Sequence, residues 1–289
     1  MHIRRLRLFI ILLLAGLTAN QPLLASANAD PLIVGVFPRR NFKQTIKMFT
    51  PLVEYLSRQL GRSVRLESAR NFGEFWKGVS SKHYDIVHYN QYHYVKSHKE
   101  FGYQVILKNE EFGNSKLSGA LVVRKDSGIT ALTDLKGKKI VFGGGRSAMM
   151  SYIVPTSLLL DAGLHENDYT ARFSKNPPNA LMTTYIGHAD ACGVGDVVIR
   201  LPFLVKRIDT GKLILLAKSK PIAHLPWAVK QGMPSALRNR IQAIFINLKN
   251  SETGRKILKH AKLTNILAAT DDEYDIHRRI IQRVTGESF

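Results

Sequence analysis

The segment Tyr84–His98 reads YDIVHYNQYHYVKSH and joins a short apolar strand to a run of histidine and tyrosine side chains. The first six residues predict a buried strand, and a loop and a helix are expected to follow. Neutral imidazole and phenol groups both donate and accept hydrogen bonds, so the loop suits recognition of a polar ligand. A ligand cleft, a metal site and a catalytic pocket could each use such rings. We expect His93 and His98 to lie on the helix and to face solvent.

Strands and helices alternate before this segment. The apolar run 32–37 (LIVGVF) predicts a strand, 50–60 (TPLVEYLSRQL) a helix, 63–68 (SVRLES) a second strand, and 72–79 a short helix. Strand, helix, strand, helix and strand in succession favour an α/β sheet with parallel strands. Sheets of this kind bind ligands at the carboxyl ends of their strands.

A second α/β unit follows between Ser118 and Ala217. It contains the strand GALVVRK, a strand that ends in FGGGR, the helix SYIVPTSLLLDAGL, a helix and strand in ALMTTYIGHADACGVGD, and the strand KLILLAKS. The tail from Met233 onward has apolar residues at helical spacing and must pack against the first unit. We therefore predict two lobes with a ligand between them: lobe one is residues 30–117 plus 218–289, and lobe two is residues 118–217.

The first 29 residues carry the pattern of a cleaved signal peptide. Arg4, Arg5 and Arg7 precede the apolar run 9–17, and the small residues of ASANA offer a cleavage site. The apolar run is too short to remain as a membrane-spanning helix. We expect residues 1–29 to be removed and the mature protein to be a soluble monomer in the periplasm.

The chain is strongly basic, with 42 lysine and arginine residues against 22 aspartate and glutamate residues and a formal charge of +20. Removal of residues 1–29 takes three arginines and no acidic residue, which leaves 39 basic side chains and a charge of +17. Export argues against nucleic acid as a partner. An anionic ligand, docking to an anionic membrane face and a general effect on solubility remain as explanations.

Polar residues gather where the predicted strands end. Each loop is expected at the carboxyl edge of a sheet, where side chains from different strands converge. The glycine run lets the main chain approach a ligand, and a helix that starts near Ser147 would present its amide hydrogens to an anion. The candidate ligand-binding residues in these loops are Arg39, His88, Tyr89, Asn90, Tyr92, Arg146, Ser147 and Asp196.

Other kinds of site lack their sequence signatures. The glycine run has neither the G-x-G-x-x-G spacing nor a following Gly-Lys-Ser/Thr, so no nucleotide-binding motif is indicated. His88, His93 and His98 are spaced by five, which does not line one face of a helix, and no second ligand motif accompanies them. Cys192 is the only cysteine and lies among small residues without a nucleophile motif. We therefore expect no catalysis, no metal site and no cofactor.

Several segments together resemble the phosphate/phosphite/phosphonate-type periplasmic substrate-binding proteins of ABC importers. They are IVGVFP with TPLVEYLSRQLG, YDIVHYNQYHYV, DLKGKKIVFGGGRSAMMSYIVPTSLLLDAGL and GHADACGVGD, in the order and spacing of the family over about residues 31–235. The resemblance implies a type 2-like periplasmic binding protein fold. In that fold each of two lobes is a mixed sheet flanked by helices, and the lobes close on an anionic ligand in the cleft between them.

The resemblance also implies where the anion is held. The family typically holds phosphonate oxygens with hydroxyls and amides of a Ser-Thr-Ser-like run at the start of the second-lobe helix. The matching positions here are Ala148, Met149 and Met150, flanked by Ser147 and Ser151. Hydroxyl groups are therefore depleted, while the helix amides and Arg146 remain. We place Ala148 and Met149 in the ligand pocket and Met150 in the core.

We predict a periplasmic solute-binding protein that delivers a small anion, such as a phosphonate, phosphite or phosphate, to an ABC permease in the inner membrane. One alternative is a periplasmic sensor subunit for a membrane kinase or cyclase, and another is an exported hydrolase. His88→Ala or Arg146→Ala is expected to weaken binding and to leave the melting temperature nearly unchanged. The segment 176–179 (NPPN) is interpreted as a helix-entry turn, and Trp227 with His224 as either hinge packing or a wall of the cleft.

Overall fold

The computed structural model describes residues 30–38 and 42–289, so Arg39 and the expected signal peptide lie outside the described residues. In chain order, the strands of this part are β1 (Leu32–Val36), β2 (Val64–Ser68), β3 (Ile86–His88), β4 (Gln104–Glu110), β5 (Lys116–Leu117), β6 (Gly119–Arg124), β7 (Lys139–Gly143), β8 (Thr170–Ser174), β9 (Ala191–Gly195), β10 (Leu213–Lys218), β11 (Ile222–Ala223), β12 (Pro226–Val229) and β13 (Asn265–Ala268). The α-helices are α1 (Phe42–Leu60), α2 (Phe72–Ser80), α3 (Gln91–Phe101), α4 (Val154–Asp161), α5 (Pro177–Tyr185), α6 (Pro202–Val205), α7 (Ser235–Ile246), α8 (Glu252–His260) and α9 (Asp275–Thr285).

Most of these strands form two mixed sheets. The first has the order β13-β4-β12-β3-β1-β2, and the second has the order β10-β6-β9-β7-β8. In the first, β1 is parallel to β2 and β3, while β12 runs antiparallel between β3 and β4. In the second, β7 is parallel to β8 and β9, while β6 runs antiparallel between β9 and β10. The predicted α/β architecture with a mixed sheet in each lobe is confirmed.

Three strands of the first sheet come from segments that sequence analysis did not identify as strands. These are β4, β12 and β13, of which β13 lies in a tail that was expected to be helical. β12 has four residues, begins with a proline and is buried throughout, so no alternation of apolar and polar residues marks it. Pairing on both sides holds it in the sheet. The neighbouring strands, more than the β-propensity of its own residues, decide the conformation of β12.

Helix α1 is longer than the sequence indicated, because it begins at Phe42 and contains Pro51 in its interior. A proline there cannot donate to the carbonyl four residues earlier. That carbonyl belongs to Lys47, and the Nε2 of His260 donates to it at 2.9 Å. Helix α8 therefore supplies the hydrogen bond that the proline removes.

Apolar side chains of α1, α7 and α8 form one core with the first sheet. Phe49, Leu52 and Leu56 are fully buried on one side of α1 and pack in the same cluster as Trp227 and Phe245. Burial of each such side chain contributes about 1.5–3 kcal/mol to stability. Helices α7 and α8 thus pack on the first sheet together with α1.

The C-terminal helix α9 contacts both lobes, which the sequence did not indicate. It packs against α3 of lobe one and against α4 of lobe two. Arg283 of α9 also pairs with Asp161 at the end of α4. Within the described residues, no helix combines the length and apolar character that crossing a bilayer requires.

The chain passes between the lobes twice, through the short paired strands β5 and β11. The first crossing leaves the carboxyl end of β4 and enters β6 beside the end of β9, where the Asp196 amide donates to the Ser118 carbonyl at 2.8 Å. The second leaves the end of β10 and enters β12 beside the end of β3, where the Tyr89 amide donates to the Pro226 carbonyl at 3.0 Å. The carboxyl edges of the two sheets therefore meet at the crossings.

Candidate functional site

His88 ends β3, but its side chain lies inside lobe one. The ring is fully buried and stacks on Trp227 with 4.3 Å between ring centroids. Its Nδ1 donates to the Pro226 carbonyl at 3.0 Å, which leaves Nε2 to accept from the Asn109 amide at 3.3 Å. Asn109 Oδ1 in turn accepts from Trp227 Nε1 at 2.8 Å. The structure thus gives His88 a packing role, and it places Trp227 in the core instead of on a cleft wall.

Asn90 is the predicted residue of this loop that stays at the sheet edge. It caps α3, because its Oδ1 accepts from the Tyr92 amide at 2.9 Å. The side chain is partly exposed, and within the described residues no acceptor engages its Nδ2 group. Asn90 can therefore donate to a ligand while its oxygen continues to cap the helix.

The two tyrosines of the loop are engaged within lobe one. Tyr89 is fully buried against Phe75 and Tyr103, and burial raises the pKa of its phenol well above the ordinary value. The Tyr92 hydroxyl donates to Glu287 at 2.6 Å, and burial together with this carboxylate raises its pKa. Tyr89 thus packs in the core of lobe one, and Tyr92 anchors the C-terminal segment.

Of the two histidines expected to face solvent from α3, one does not. His93 is 6% exposed and stacks on Phe72 with 4.7 Å between ring centroids, so the expectation for it is wrong. His98 is partly exposed, and its Nδ1 donates to the Tyr103 carbonyl at 2.8 Å. The apolar rings of α2 cover His93, a contact between helices that spacing within α3 alone does not reveal.

The glycine run that ends β7 brings the main chain of lobe two close to its neighbours. A Cβ at Gly143 would lie 2.3 Å from Pro177 Cα, so α5 packs directly on this position. Gly144 has φ of 116°, a conformation that favours glycine. The turn 176–179 acts as the predicted helix entry, since Asn176 Oδ1 caps α5 through the Asn179 amide at 3.0 Å.

The segment after the glycine run reverses the roles that we expected for two methionines. It begins with a π-helical turn, Met149–Ile153, which continues into α4. Met149 is fully buried in the core, whereas Met150 is partly exposed, as are Ser147 and Ala148. Met150 lies against the end of β9, with its Cβ 3.6 Å from the place of a Cβ at Gly195. Met150, not Met149, is therefore at the sheet edge.

The main-chain amides of this turn are the clearest anion donors of lobe two. Within the described residues, no main-chain carbonyl accepts from the amides of Met149 and Met150. The first amides of a helix lack partners inside the helix, and with the helix dipole they attract anions. Met149 is fully buried and Met150 is partly exposed, so the Met150 amide is the donor available at the carboxyl edge of β7.

The side chain of Arg146 is engaged by two hydrogen-bond partners. Its guanidinium donates to Glu166 and to the Tyr152 hydroxyl, the latter at 2.7 Å. It also lies 5.6 Å from the ring centroids of Tyr152 and Phe173. The hydrogen bond from Arg146 holds the pKa of the Glu166 carboxyl below its usual range. Arg146 is paired within lobe two, on the side of the edge strand β8.

Asp196 lies beside a cavity of about 320 Å³ at the edge where the crossings enter lobe two. Its Oδ1 accepts from the Ser118 amide at 3.3 Å, and its Oδ2 is 3.6 Å from Lys218 Nζ. Lys116 and Arg200 also line the cavity, and sequence reasoning missed them together with Ser118 and Lys218. The crossing strands beside them have two residues each, too few to give a periodic signal.

Metal-binding groups and the one cysteine are further candidates in the part of the chain that the structure describes. No group of three or more histidine, cysteine, aspartate or glutamate side chains there is placed to hold a metal ion. Cys192 is fully buried, and burial raises the pKa of its thiol to about 12. A thiol in that state carries almost no thiolate at neutral pH.

Solved structures from other bacteria have the same fold. PhnD1 from Prochlorococcus marinus in complex with methylphosphonate is 19% identical with a TM-score of 0.76, and the match covers 89% of this chain and 98% of that one. A Xanthomonas citri protein bound to ATP is 15% identical with a TM-score of 0.77, covering 89% and 99%. A binding protein component of an ABC phosphonate transporter from Pseudomonas aeruginosa is 16% identical with a TM-score of 0.74, covering 87% and 86%.

The family itself is established by sequence. A family model described as the periplasmic substrate-binding protein of phosphonate ABC transporters matches residues 34–274, which is most of the chain. Its members are transport proteins of the periplasm that bind a substrate, and the predicted family is confirmed. This chain belongs to the periplasmic substrate-binding proteins of ABC phosphonate transporters.

Proposed function

We propose that this chain captures a small alkylphosphonate in the periplasm and delivers it to an ABC permease. The observation that carries this proposal is that, among the described residues, no main-chain carbonyl accepts from the amides of Met149 and Met150, and that Met150 is partly exposed where the carboxyl edges of the two sheets meet. A similar fold in Prochlorococcus marinus is in complex with methylphosphonate, which supports the choice of ligand.

The groups around these amides favour a ligand with an alkyl group. Ser147 supplies a hydroxyl just before the turn, the Ser151 hydroxyl donates to a main-chain carbonyl, and Ala148 and Met150 present carbon atoms at the edge. A phosphonate oxygen would accept from the amides, with Asn90 as a donor from lobe one. A methyl group against Ala148 and Met150 needs no hydrogen bond. The fourth oxygen of phosphate would lack a hydrogen-bond partner at the same place. We therefore expect methylphosphonate to bind more tightly than phosphate.

We propose that the protein acts by binding alone, as a periplasmic monomer released by cleavage after residue 29. The buried thiol of Cys192 supports the absence of a cysteine nucleophile. The ligand site takes Asn90, Ser147, Ala148 and Met150, and Asp196 lies beside it, next to the Gly195 that contacts Met150. His88, Tyr89, Tyr92, Arg146 and Met149 are left out of it because their side chains are buried or paired elsewhere.

The test is calorimetric titration of residues 30–289 with methylphosphonate and with phosphate. In Met150→Glu a carboxylate next to the amides should repel the anion and weaken methylphosphonate binding by at least about tenfold. Met150→Gln has nearly the same shape without the charge and should bind within about twofold of the original chain. Equal binding by both variants, with unchanged melting temperatures, would remove the amide site from the proposal.

A further inference from the structure

The cavity beside Asp196 has an excess of positive charge. Three cationic side chains line it, those of Lys116, Arg200 and Lys218, against the single carboxylate of Asp196. Its volume of about 320 Å³ is at the lower end of the range found for small-molecule sites. The charge balance suits an anionic group and disfavours a cationic one.

The carboxylate of Asp196 is already used inside the protein. It accepts from the Ser118 amide at 3.3 Å and lies 3.6 Å from the ammonium group of Lys218, with 16% of its side chain exposed. These contacts join the end of β9 to the start of β6 and compensate the charge of Lys218. A ligand ammonium group would have to compete with both partners.

In the part of the chain that the structure describes, no carboxylate compensates the positive charges of Lys116 and Arg200. Within the described residues, no carboxylate lies within ion-pair distance of either side chain. The guanidinium of Arg200 lies 5.7 Å from the ring centroid of Phe112, which holds it across the first crossing. One cation therefore comes from the crossing strand β5 and the other from lobe two.

The rest of the lining is largely apolar. Val197, Ile199, Leu215 and Pro221 supply it, and Leu215 is 41% exposed. A carbon chain can lie on this surface while an oxyanion at its end contacts the cations.

The cavity and the amide site lie on either side of one strand end. Gly195, the last residue of β9, is against Met150, and the next residue, Asp196, lines the cavity. The Cα atoms of two consecutive residues are about 3.8 Å apart, so both sites border the same strand end. We infer that the cavity is a subsite for a second anionic group, so that the ligand is a phosphonate carrying a carboxylate or a further phosphoryl group at its other end.

This inference rests on the proposed function, and three phosphonates with the same two-carbon chain test it in residues 30–289 by calorimetric titration. 3-Phosphonopropionate carries a second anion, ethylphosphonate has no second charge, and 2-aminoethylphosphonate carries a cation. Because the two cations are exposed to solvent, we expect 3-phosphonopropionate to bind about fivefold more tightly than ethylphosphonate, with the amine weakest. The difference should shrink as the salt concentration rises.

Two double variants identify the cavity as the source of the preference. Lys116→Gln with Arg200→Gln should bring 3-phosphonopropionate to the affinity of ethylphosphonate and leave ethylphosphonate binding unchanged. Lys125→Gln with Lys212→Gln removes the same charge at the opposite edge of the lobe-two sheet and should keep the preference. Tighter binding of the amine, or a preference that survives in the first variant, would overturn the inference and leave the proposed function standing. Failure of every phosphonate to bind would overturn both.

Discussion

His88 joins three parts of lobe one through contacts that a smaller side chain cannot make. Its ring fills space between Trp227 and Phe37, with 4.3 Å and 5.3 Å between the respective ring centroids. Its two nitrogens also occupy the Pro226 carbonyl and the Asn109 amide. Replacement by alanine leaves a cavity and removes a partner from two buried polar groups.

We therefore predict that His88→Ala lowers the free energy of unfolding by about 2–4 kcal/mol. In a protein of this size the melting temperature should fall by about 5–12 °C. This replaces the expectation from sequence that the melting temperature would be nearly unchanged. Thermal melts followed by circular dichroism measure it, with His188→Ala at an exposed position as the control. A variant that melts with the original chain but loses ligand would return His88 to the site.

At the level of elements, the loop after β7 shows why glycines that are close in sequence differ in whether they tolerate a side chain. Gly143 has Pro177 Cα 2.3 Å from the place of its Cβ, so a side chain would push α5 off the sheet. Gly145 has no atom within 4 Å of that place. Its φ also lies outside the left-handed region.

We predict that Gly143→Ala destabilises lobe two by about 1–3 kcal/mol, because a main-chain atom of α5 cannot move aside as a side chain could. Gly145→Ala in the same loop should change the unfolding free energy by less than about 0.5 kcal/mol. Urea unfolding of both variants measures the difference. Equal midpoints for the two would show that α5 can shift without cost.

The π-helical turn explains why the order of the two methionines could not be read from sequence. A π-helical turn holds an additional residue, which rotates the side chains after it relative to an ordinary α-helix. The helical spacing of the segment predicted the helix correctly, but the phase at Met149 and Met150 depends on where the additional residue is accommodated. That position follows from tertiary packing around Met149, which spacing does not contain.

The parts of the fold that were predictable are those whose signal is local. β1 and β3 carry short apolar runs, β2 alternates apolar and polar residues, and the glycine run after β7 stands out by composition, so the two α/β units could be identified. β12 was not predictable, since it is buried on both faces and its neighbours in the sheet come from distant segments. The cationic cavity was missed for the same reason, because Lys116 and Arg200 meet only when the lobes assemble.

At the scale of the whole molecule, the second crossing is held by side chains from lobe one and from the C-terminal helix. Gln91 of α3 and His277 of α9 both donate to the Ala223 carbonyl, at 3.2 Å and 3.1 Å. The Tyr274 hydroxyl donates to the His224 carbonyl at 2.8 Å. Because α9 also contacts α4, these bonds couple the crossing to both lobes.

The same assembly buries two histidines in the neutral state, which makes the whole protein sensitive to acid. Burial, with a smaller contribution from the nearby Arg278, lowers the pKa of His277 from 6.5 to about 3. Burial also lowers the pKa of His93 from 6.5 to about 3, with a smaller contribution from Lys96. Below pH 6.5 the unfolded chain binds protons at both positions and the folded chain does not. Their contribution to stability is therefore complete above pH 6.5 and is lost as the pH falls towards 3.

We predict that the free energy of unfolding falls by about 2.5 kcal/mol between pH 5.5 and 4.5 on account of these two histidines, because each contributes up to about 1.4 kcal/mol per pH unit. Urea unfolding across this range measures the slope.

His93→Phe keeps the ring that stacks on Phe72, so it should remove about half of the slope without the cost of a cavity. His277→Gln keeps a donor for the Ala223 carbonyl and should remove a similar share. His188→Gln, at an exposed position, should leave the slope as it is. If both buried variants kept the full slope, the acid sensitivity would have to come from carboxylates, and the two histidines would have to be accessible to protons in the folded chain.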